Sequence, residues 1–258
     1  MLKVSSKDVI ARIRTELRVG DVVAFDGDGT LWDGDVGDEF FFALLAHNDV
    51  REPAKTRLVD EARVACMDTE GTPVEIAKRI FAAYTAGQYS ERKVCEMIGW
   101  LCAGWSLAEV TGFADKMIPS GALEARLHAE AIEVGVAVKA LGGRVVIVSA
   151  SPRHIVEAAA RRVGFTADVI ATTPRYTNDT MLPSVDEPIP YDEGKVTNLR
   201  AYLGEGALVA AFGDNAFDVP MLRAAKVAVA VRPKERLLAR TADVPGLLTI
   251  DRSSASSA

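Results

Sequence analysis

Five short runs, Val22 to Phe25, Arg144 to Val148, Ala167 to Ala171, Leu208 to Phe212 and Val227 to Val231, constrain this chain more than any other feature. Runs so brief and so apolar fit strands that are buried on both faces. Helical patterns lie between the later runs, over Ala129 to Leu141, Arg153 to Val163, Lys195 to Leu203 and Val219 to Ala225. Alternation of this kind predicts an α/β fold, a doubly wound parallel sheet covered by helices and joined by right-handed crossovers. Ligands of such sheets bind beyond the carboxyl ends of the strands. The residues that directly follow each run are therefore the first candidates for chemistry.

One stretch breaks the alternation. From about Gly34 to Ala129 the pattern is helical and contains no strand signal. Phe40, Phe41, Leu44 and Leu45 share one face, Ile76, Ile80 and Ala83 another, and Trp100, Leu101 and Trp105 a third. Aromatics at such spacing are expected to pack as core. The stretch is too long for a simple crossover. The expected organisation is a core domain of residues 1–33 and 130–258, interrupted by a helical domain of residues 34–129. Inserted after the first strand's turn, that domain is placed to cover the strand ends. Ser253 to Ala258 are small and polar and expected to fray.

Composition narrows the class. The chain has 258 residues, 49% of them hydrophobic, enough to bury a sizeable core. A net charge of -6 argues against nucleic acid as a partner. No apolar run approaches the roughly 20 residues of a membrane-spanning helix. Met1 to Gly20 is charged and helix-patterned rather than signal-like, so the expectation is a soluble, cytoplasmic protein. Oligomeric state is not legible. Cys66, Cys95 and Cys102 form no CxxC pair and His47, His128 and His154 are scattered, so no histidine–cysteine zinc site is expected.

Asp26-Gly27-Asp28-Gly29-Thr30 is the sharpest chemical signal. Side chains two apart in an extended chain point the same way, so both carboxylates can face one ligand. The glycines let backbone N–H groups approach an anion closely. A calcium loop would need more oxygen ligands and flanking helices. Three further signals follow at later strand ends or helix starts. Ser149 precedes Ala150, Ser151 and Pro152, of which Ser151 suits a helix cap. Gly194-Lys195 opens a helix. Gly213-Asp214-Asn215-Ala216-Phe217-Asp218 ends the fourth run, where Asp214 is either a metal ligand or a cap.

In this order the motifs resemble those of the haloacid dehalogenase superfamily, mapping onto Asp26, Asp28 and Thr30, then Ser149, then Lys195, then Asp214 and Asp218. The resemblance covers Val22 to Trp32 and about Ala129 to Pro233; in the inserted stretch it extends to position and helical character. It implies a Rossmann-like core with a helical cap, and a magnesium-dependent phosphatase acting on a small phosphomonoester. Asp26 would attack phosphorus to form an aspartyl-phosphate, and Asp28 would serve as acid and then base. The Asp26 carboxylate, the Asp28 carbonyl and the Asp214 carboxylate would hold Mg2+. Gly27, Ser149, Ala150 and Lys195 would bind the phosphoryl group, with Thr30, Asn215 and Asp218 in support. A haloalkanoate dehalogenase would need no acid, so Asp28 favours phosphoryl transfer.

Within the superfamily the helical insert and the Ser-Ala-Ser-Pro stretch look most like the phosphoserine phosphatase group, which includes phosphocholine-type enzymes. Asp35 falls where that group carries an acid facing the substrate's amino group; a solvated loop charge is the alternative. Asn215 and Phe217 stand where the group has a glycine and a polar residue. Arg79, Arg92 and Arg153 are candidates for reading a substrate carboxylate, or surface charges. Two other functions fit the motifs: a phosphotransferase or phosphomutase, and a catalytically silent binding module, which would be expected to have lost one of Asp26, Asp28 and Asp214.

Overall fold

A computed structural model describes residues 1–120, 123–250 and 252. The expected α/β architecture is present. In chain order the elements are β1 (Leu2–Val4), α1 (Ser6–Glu16), β2 (Val22–Phe25), α2 (Val36–Ala46), α3 (Glu52–Val64), α4 (Pro73–Thr85), α5 (Glu91–Trp100) and α6 (Leu107–Ser120). Next come α7 (Ala129–Ala140), β3 (Arg144–Pro152), α8 (Arg153–Ala160), β4 (Asp168–Thr172), β5 (Pro174–Thr177), β6 (Thr180–Val185) and α9 (Glu193–Leu203). The chain continues through β7 (Leu208–Gly213), α10 (Val219–Ala224), β8 (Val227–Val231), α11 (Glu235–Leu238) and β9 (Leu248–Ile250).

Seven strands form one sheet in the order β1-β9-β8-β7-β2-β3-β4, and every pairing in it is parallel. The chain winds from β2 outward through β3 and β4, then returns to begin the other half at β7. The reversal point lies between β2 and β7, the place where open parallel sheets bind ligands. Alternate residues feed two apolar layers. Val23, Phe25, Val145, Ile147 and Phe212 face α1, α7 and α8. Val22, Ala24, Val146, Val148 and Ala211 face α9, α10 and α11. Burial on both faces is why these strands read as continuous apolar runs.

Helices α2 to α6 occupy the long stretch between β2 and β3. Their starts follow local rules: Asp35 caps α2, Thr72 and Glu75 form a reciprocal capping box on α4 with Pro73 next, and Ser90 caps α5. Phe40, Phe41, Ile76, Ile80 and Trp100 are buried in the same apolar layer as Phe25. Trp105 is buried too; its Nε1 donates to the Asp49 carbonyl at 3.1 Å, and the Arg51 guanidinium lies 4.8 Å from its ring centroid. Both tryptophans thus pack as core, as their spacing suggested.

Four strands lacked a readable signal. β1 and β9 are three-residue strands paired with each other, β1 at the sheet edge and β9 between it and β8. β5 and β6 form an antiparallel hairpin whose turn, Asn178-Asp179, has positive φ at both residues. The hairpin reaches the helical stretch, because Gly104 N donates to Met181 O and Met181 N to Trp105 O. Among the described residues no helix is long and apolar enough to cross a membrane. The tail, Ser253 to Ala258, lies outside the described residues.

Candidate active site

The turn after β2 is held by its own backbone. Asp26 N donates to Phe212 O, which keeps Asp26 in register with β7. Thr30 N and Leu31 N both donate to Gly27 O, and Gly29 N donates to Trp32 O. The Thr30 carbonyl lies 3.0 Å from His128 Nδ1, so Thr30 ties the turn to the start of α7. Gly29 sits at φ +84°, and a Cβ there would lie 2.1 Å from Asp214 Oδ2. Only glycine allows the two loops to approach this closely.

Asp26, Asp214 and Asp218 are buried together, with one oxygen from each within 4.8 Å of the others. Lys195, fully buried on α9, donates to Asp26 Oδ1 at 2.5 Å, Asp218 Oδ1 at 2.6 Å and Val148 O at 3.1 Å. All three ammonium protons therefore have protein acceptors. Lys195 was expected to hold phosphoryl oxygens; here its ammonium lies behind the carboxylates and does not line the cavity. Asp218 Oδ2 accepts from Asp214 N and Asn215 N, and the Asn215 side chain accepts from Ala216 N. Both Asp218 oxygens are thus bonded within the protein, whereas Asp26 Oδ2 and Asp214 Oδ1 are buried without a partner and Asp214 Oδ2 meets the Lys234 ammonium. Burial, then repulsion from Asp218, pushes Asp26 well above the ordinary carboxylate range against the pull of Lys195. Burial and Asp218 likewise push Asp214 up to about 6. Unpartnered oxygens on carboxyls that resist ionisation fit a hard divalent cation, which takes oxygen ligands and supplies the missing charge.

Asp28 faces the same cavity in a different setting. Its Oδ1 accepts from Trp32 Nε1 at 2.7 Å and Val36 N at 2.8 Å, and its Oδ2 accepts from Ser151 Oγ at 2.7 Å. Burial and the Asp35 charge outweigh these bonds and push the carboxyl up to about 7. Ser151 had been expected to cap the following helix. Instead Pro152 occupies the cap of α8, which has no side-chain cap bond, and Ser151 is drawn to the carboxylate. Ser149 Oγ accepts from Ser151 N, leaving its own proton to donate into the cavity that Ser149 and Ala150 line. Gly27 does not line that cavity; it packs on the Trp32 ring, which a Cβ would meet at 2.9 Å.

The cavity has a volume of about 270 Å³. Its floor carries Asp26, Asp28, Ser149 and Asn215, and its outer wall carries Asp35, Asp38, Tyr84, Glu91, Tyr191, Phe217, Lys234 and Arg236. Asp35 caps α2 through a 2.8 Å bond from Asp38 N and keeps contact with solvent. Crowding by protein, then the Asp38 charge, pushes Asp35 up to about 6, and Asp38 is raised to about 6 by burial and Asp28. Arg236 Nη1 reaches Glu91 Oε2 at 2.8 Å, and Tyr191 Oη donates to the same oxygen at 3.2 Å. Lys234 Nζ lies 2.8 Å from Asp214 Oδ2.

Several of these wall residues escaped the sequence reading. Lys234 and Arg236 follow the β8 run directly, so the strand-end rule that located the other motifs was a signal available for them. Nothing local marks Glu91, Tyr84 or Tyr191. Arg79, Arg92 and Arg153 pair with Asp68, with Glu96 and Glu187, and with Glu157, and none of the three lines the cavity.

A probable phosphatase of Mycobacterium tuberculosis is 32% identical over 154 residues, 57% of this chain and 51% of that protein. The chain thus spans about half the length of the curated relatives it matches. A Bordetella pertussis protein of unknown function superposes with a TM-score of 0.67 at 22% identity, over 91% of this chain and 99% of that one. A substrate-bound phosphoserine phosphatase superposes with a TM-score of 0.53 at 16% identity, over 92% of this chain and 95% of that one. The family model for haloacid dehalogenase-like hydrolases matches residues 23–223, and this chain belongs to that family.

Proposed function

We propose that the chain is a magnesium-dependent phosphatase that hydrolyses a small phosphomonoester through an aspartyl-phosphate on Asp26. The observation that carries this reading is the pair of buried, unpartnered oxygens on Asp26 and Asp214, beside an Asp28 carboxyl raised to about 7. Asp26, the Asp28 carbonyl and Asp214 would hold Mg2+, whose charge would offset repulsion between carboxylate and phosphate and orient the attack.

The Asp26 carboxylate attacks phosphorus, and the bond from phosphorus to the alcohol oxygen breaks. Asp28, protonated near neutral pH, gives its proton to the departing oxygen. Ionised by that step, Asp28 then takes a proton from the water that attacks the aspartyl-phosphate, which frees Asp26 and inorganic phosphate. Trp32, Val36 and Ser151 fix Asp28 for both transfers. The Ser149 hydroxyl and the backbone at Ala150 serve the phosphoryl oxygens. Lys195 and Asp218 act from behind: the ammonium holds Asp26 in place, and Asp218 holds Lys195 and the loop that carries Asp214. Residues 34–129 act as the cap that excludes water and reads the alcohol.

The outer wall supports an alcohol that carries an ammonium group, as in phosphoserine or a phosphocholine-like amino alcohol. Asp35, Asp38 and Glu91 offer negative charge, and Tyr84, Tyr191 and Phe217 offer aromatic surface to a cation. The test is phosphate release, with magnesium and no added acceptor, from phosphoserine, phosphocholine, sugar phosphates and an aryl phosphate. Release from the amine-bearing esters ahead of the sugar phosphates is expected. Release only when an acceptor is supplied would make the protein a transferase, and release undiminished in excess chelator would remove the metal from the mechanism.

A further inference from the structure

Two lysines serve the acidic cluster, and they are held in opposite ways. Lys195 is fully buried and bonded to three acceptors. Lys234 lies on the cavity side with its side chain 54% exposed, and its ion-pair partner is Asp214, itself 1% exposed. The Lys234 backbone is anchored independently, because its N–H donates to the Asp214 carbonyl at 2.8 Å. The ammonium can leave Asp214 without the loop moving, since a half-exposed side chain on a fixed backbone needs only rotamer changes.

We propose that Lys234 competes with magnesium for Asp214 and, once displaced, turns its ammonium to the phosphoryl group, so that metal loading precedes and prepares phosphate binding. This rests on the magnesium reading above. Charge gives the reason. With every carboxyl ionised, Asp26, Asp214 and Asp218 set against Lys195 and Lys234 leave one negative charge, three minus two, in the cluster. A cavity floor of that sign repels a phosphate dianion. A divalent ion added to the same groups turns the sum to one positive charge. The ion also takes the carboxylate oxygens that the ammonium had compensated, and the freed ammonium remains in the cavity, where Asp26 and Asp35 are its other charged neighbours. Lys195 is less free to take this part, because its ammonium is fully buried and already bonded to three acceptors.

The test compares wild type with Lys234→Met, which keeps an unbranched stem and removes the charge, and with Lys234→Arg, which keeps the charge. Magnesium is titrated by calorimetry without substrate, and inorganic phosphate is then titrated into the magnesium-saturated proteins. Lys234→Met should bind magnesium roughly tenfold more tightly, because a nearby positive charge and a rival for Asp214 are both gone. The same variant should bind phosphate several-fold more weakly, while Lys234→Arg should stay near wild type in both. Melting in chelator confirms folding, and Lys234→Gln replaces any variant that fails it. Unchanged or weaker magnesium binding by Lys234→Met overturns the competition, and unchanged phosphate binding overturns the handover. If neither wild type nor variant binds magnesium, the metal reading falls first and this inference with it.

Discussion

Asp26 on the floor of the cavity and Asp218 behind it are 3% and 0% exposed and both grip Lys195, whereas Asp35 on the outer wall caps a helix and keeps contact with solvent. The two regions use the same residue type under different constraint. On the floor Asp26 is fixed by a strand end and a buried lysine, and Asp28 by Trp32, Val36 and Ser151, so position is set to within a hydrogen bond. On the wall the charges come from α2, α5 and α11 and from the segments around Tyr191 and Lys234, and most retain access to water. Rigid elements suit a reaction whose atoms must meet in line, and a solvated wall suits discrimination among alcohols, where each contact contributes little.

The comparison breaks most sharply at the nucleophile. Asp26→Asn should lower phosphate release by on the order of 10³-fold or more for every substrate, while Lys195 keeps Asp218 and the fold survives. Turnover near wild type in a variant with a native melting profile would mean that the floor does not carry the chemistry. Chelation should have a comparable effect and be reversed by magnesium. Calcium should restore little, because its looser shell disturbs in-line attack. Full activity in chelator with no residual metal by elemental analysis is the result that refutes this.

Asp28→Asn should act in two directions. Release from alkyl phosphates should fall by about 10²-fold or more, and from an aryl phosphate by less, since a good leaving group needs less proton donation. Stability should rise. Burial holds the folded carboxyl up at about 7, well above the ordinary carboxylate range, so ionising it opposes folding. That penalty is absent below the unfolded value, grows between the two and is complete above 7. The variant should therefore melt higher than wild type at pH 8, by a few degrees, and equally at pH 4. Equal melting at both pH values would show that Asp28 is well solvated.

The smallest effect belongs to the wall. Asp35→Asn keeps a good helix cap, so its loss should fall on the substrate rather than the fold. Catalysis on an amine-bearing ester should drop about fivefold, as for a partly solvated ion pair, with an aryl phosphate unaffected. Asp35 and Asp38 both titrate at about 6, so they are charged above that pH and protonated below it. The KM for the amine ester should accordingly rise as pH falls from 7 to 5, with no matching rise for the aryl phosphate. Parallel changes for both esters would return Asp35 to a purely local role.

Much of the floor was legible in the sequence because its signals are local. Val22 to Phe25 followed by Asp26-Gly27-Asp28 announces a strand end and two carboxylates without reference to any other segment. The five apolar runs became adjacent or near-adjacent strands for the same reason, since burial on both faces leaves a pattern in four or five consecutive residues. Ser151 shows where such reasoning stops. Its neighbours favoured a helix cap, but Asp28, 123 positions away, offered a carboxylate that needed a donor, and the charged acceptor won.

The sequence by itself determined the α/β class, the strand that carries Asp26, the helical insertion after it and the motifs that place the chain in its family. Each is written in short-range periodicity and turn chemistry. Only the tertiary structure decided the short strands β1 and β9, the hairpin that meets the helical stretch, and the cavity's outer wall. Glu91 meets Arg236 across 145 positions, and Lys195 meets Asp26 across 169. Pairs so far apart leave no mark on their local sequence. They are set by the close packing of a common core, which fixes where each segment must lie before any pair of charges can meet.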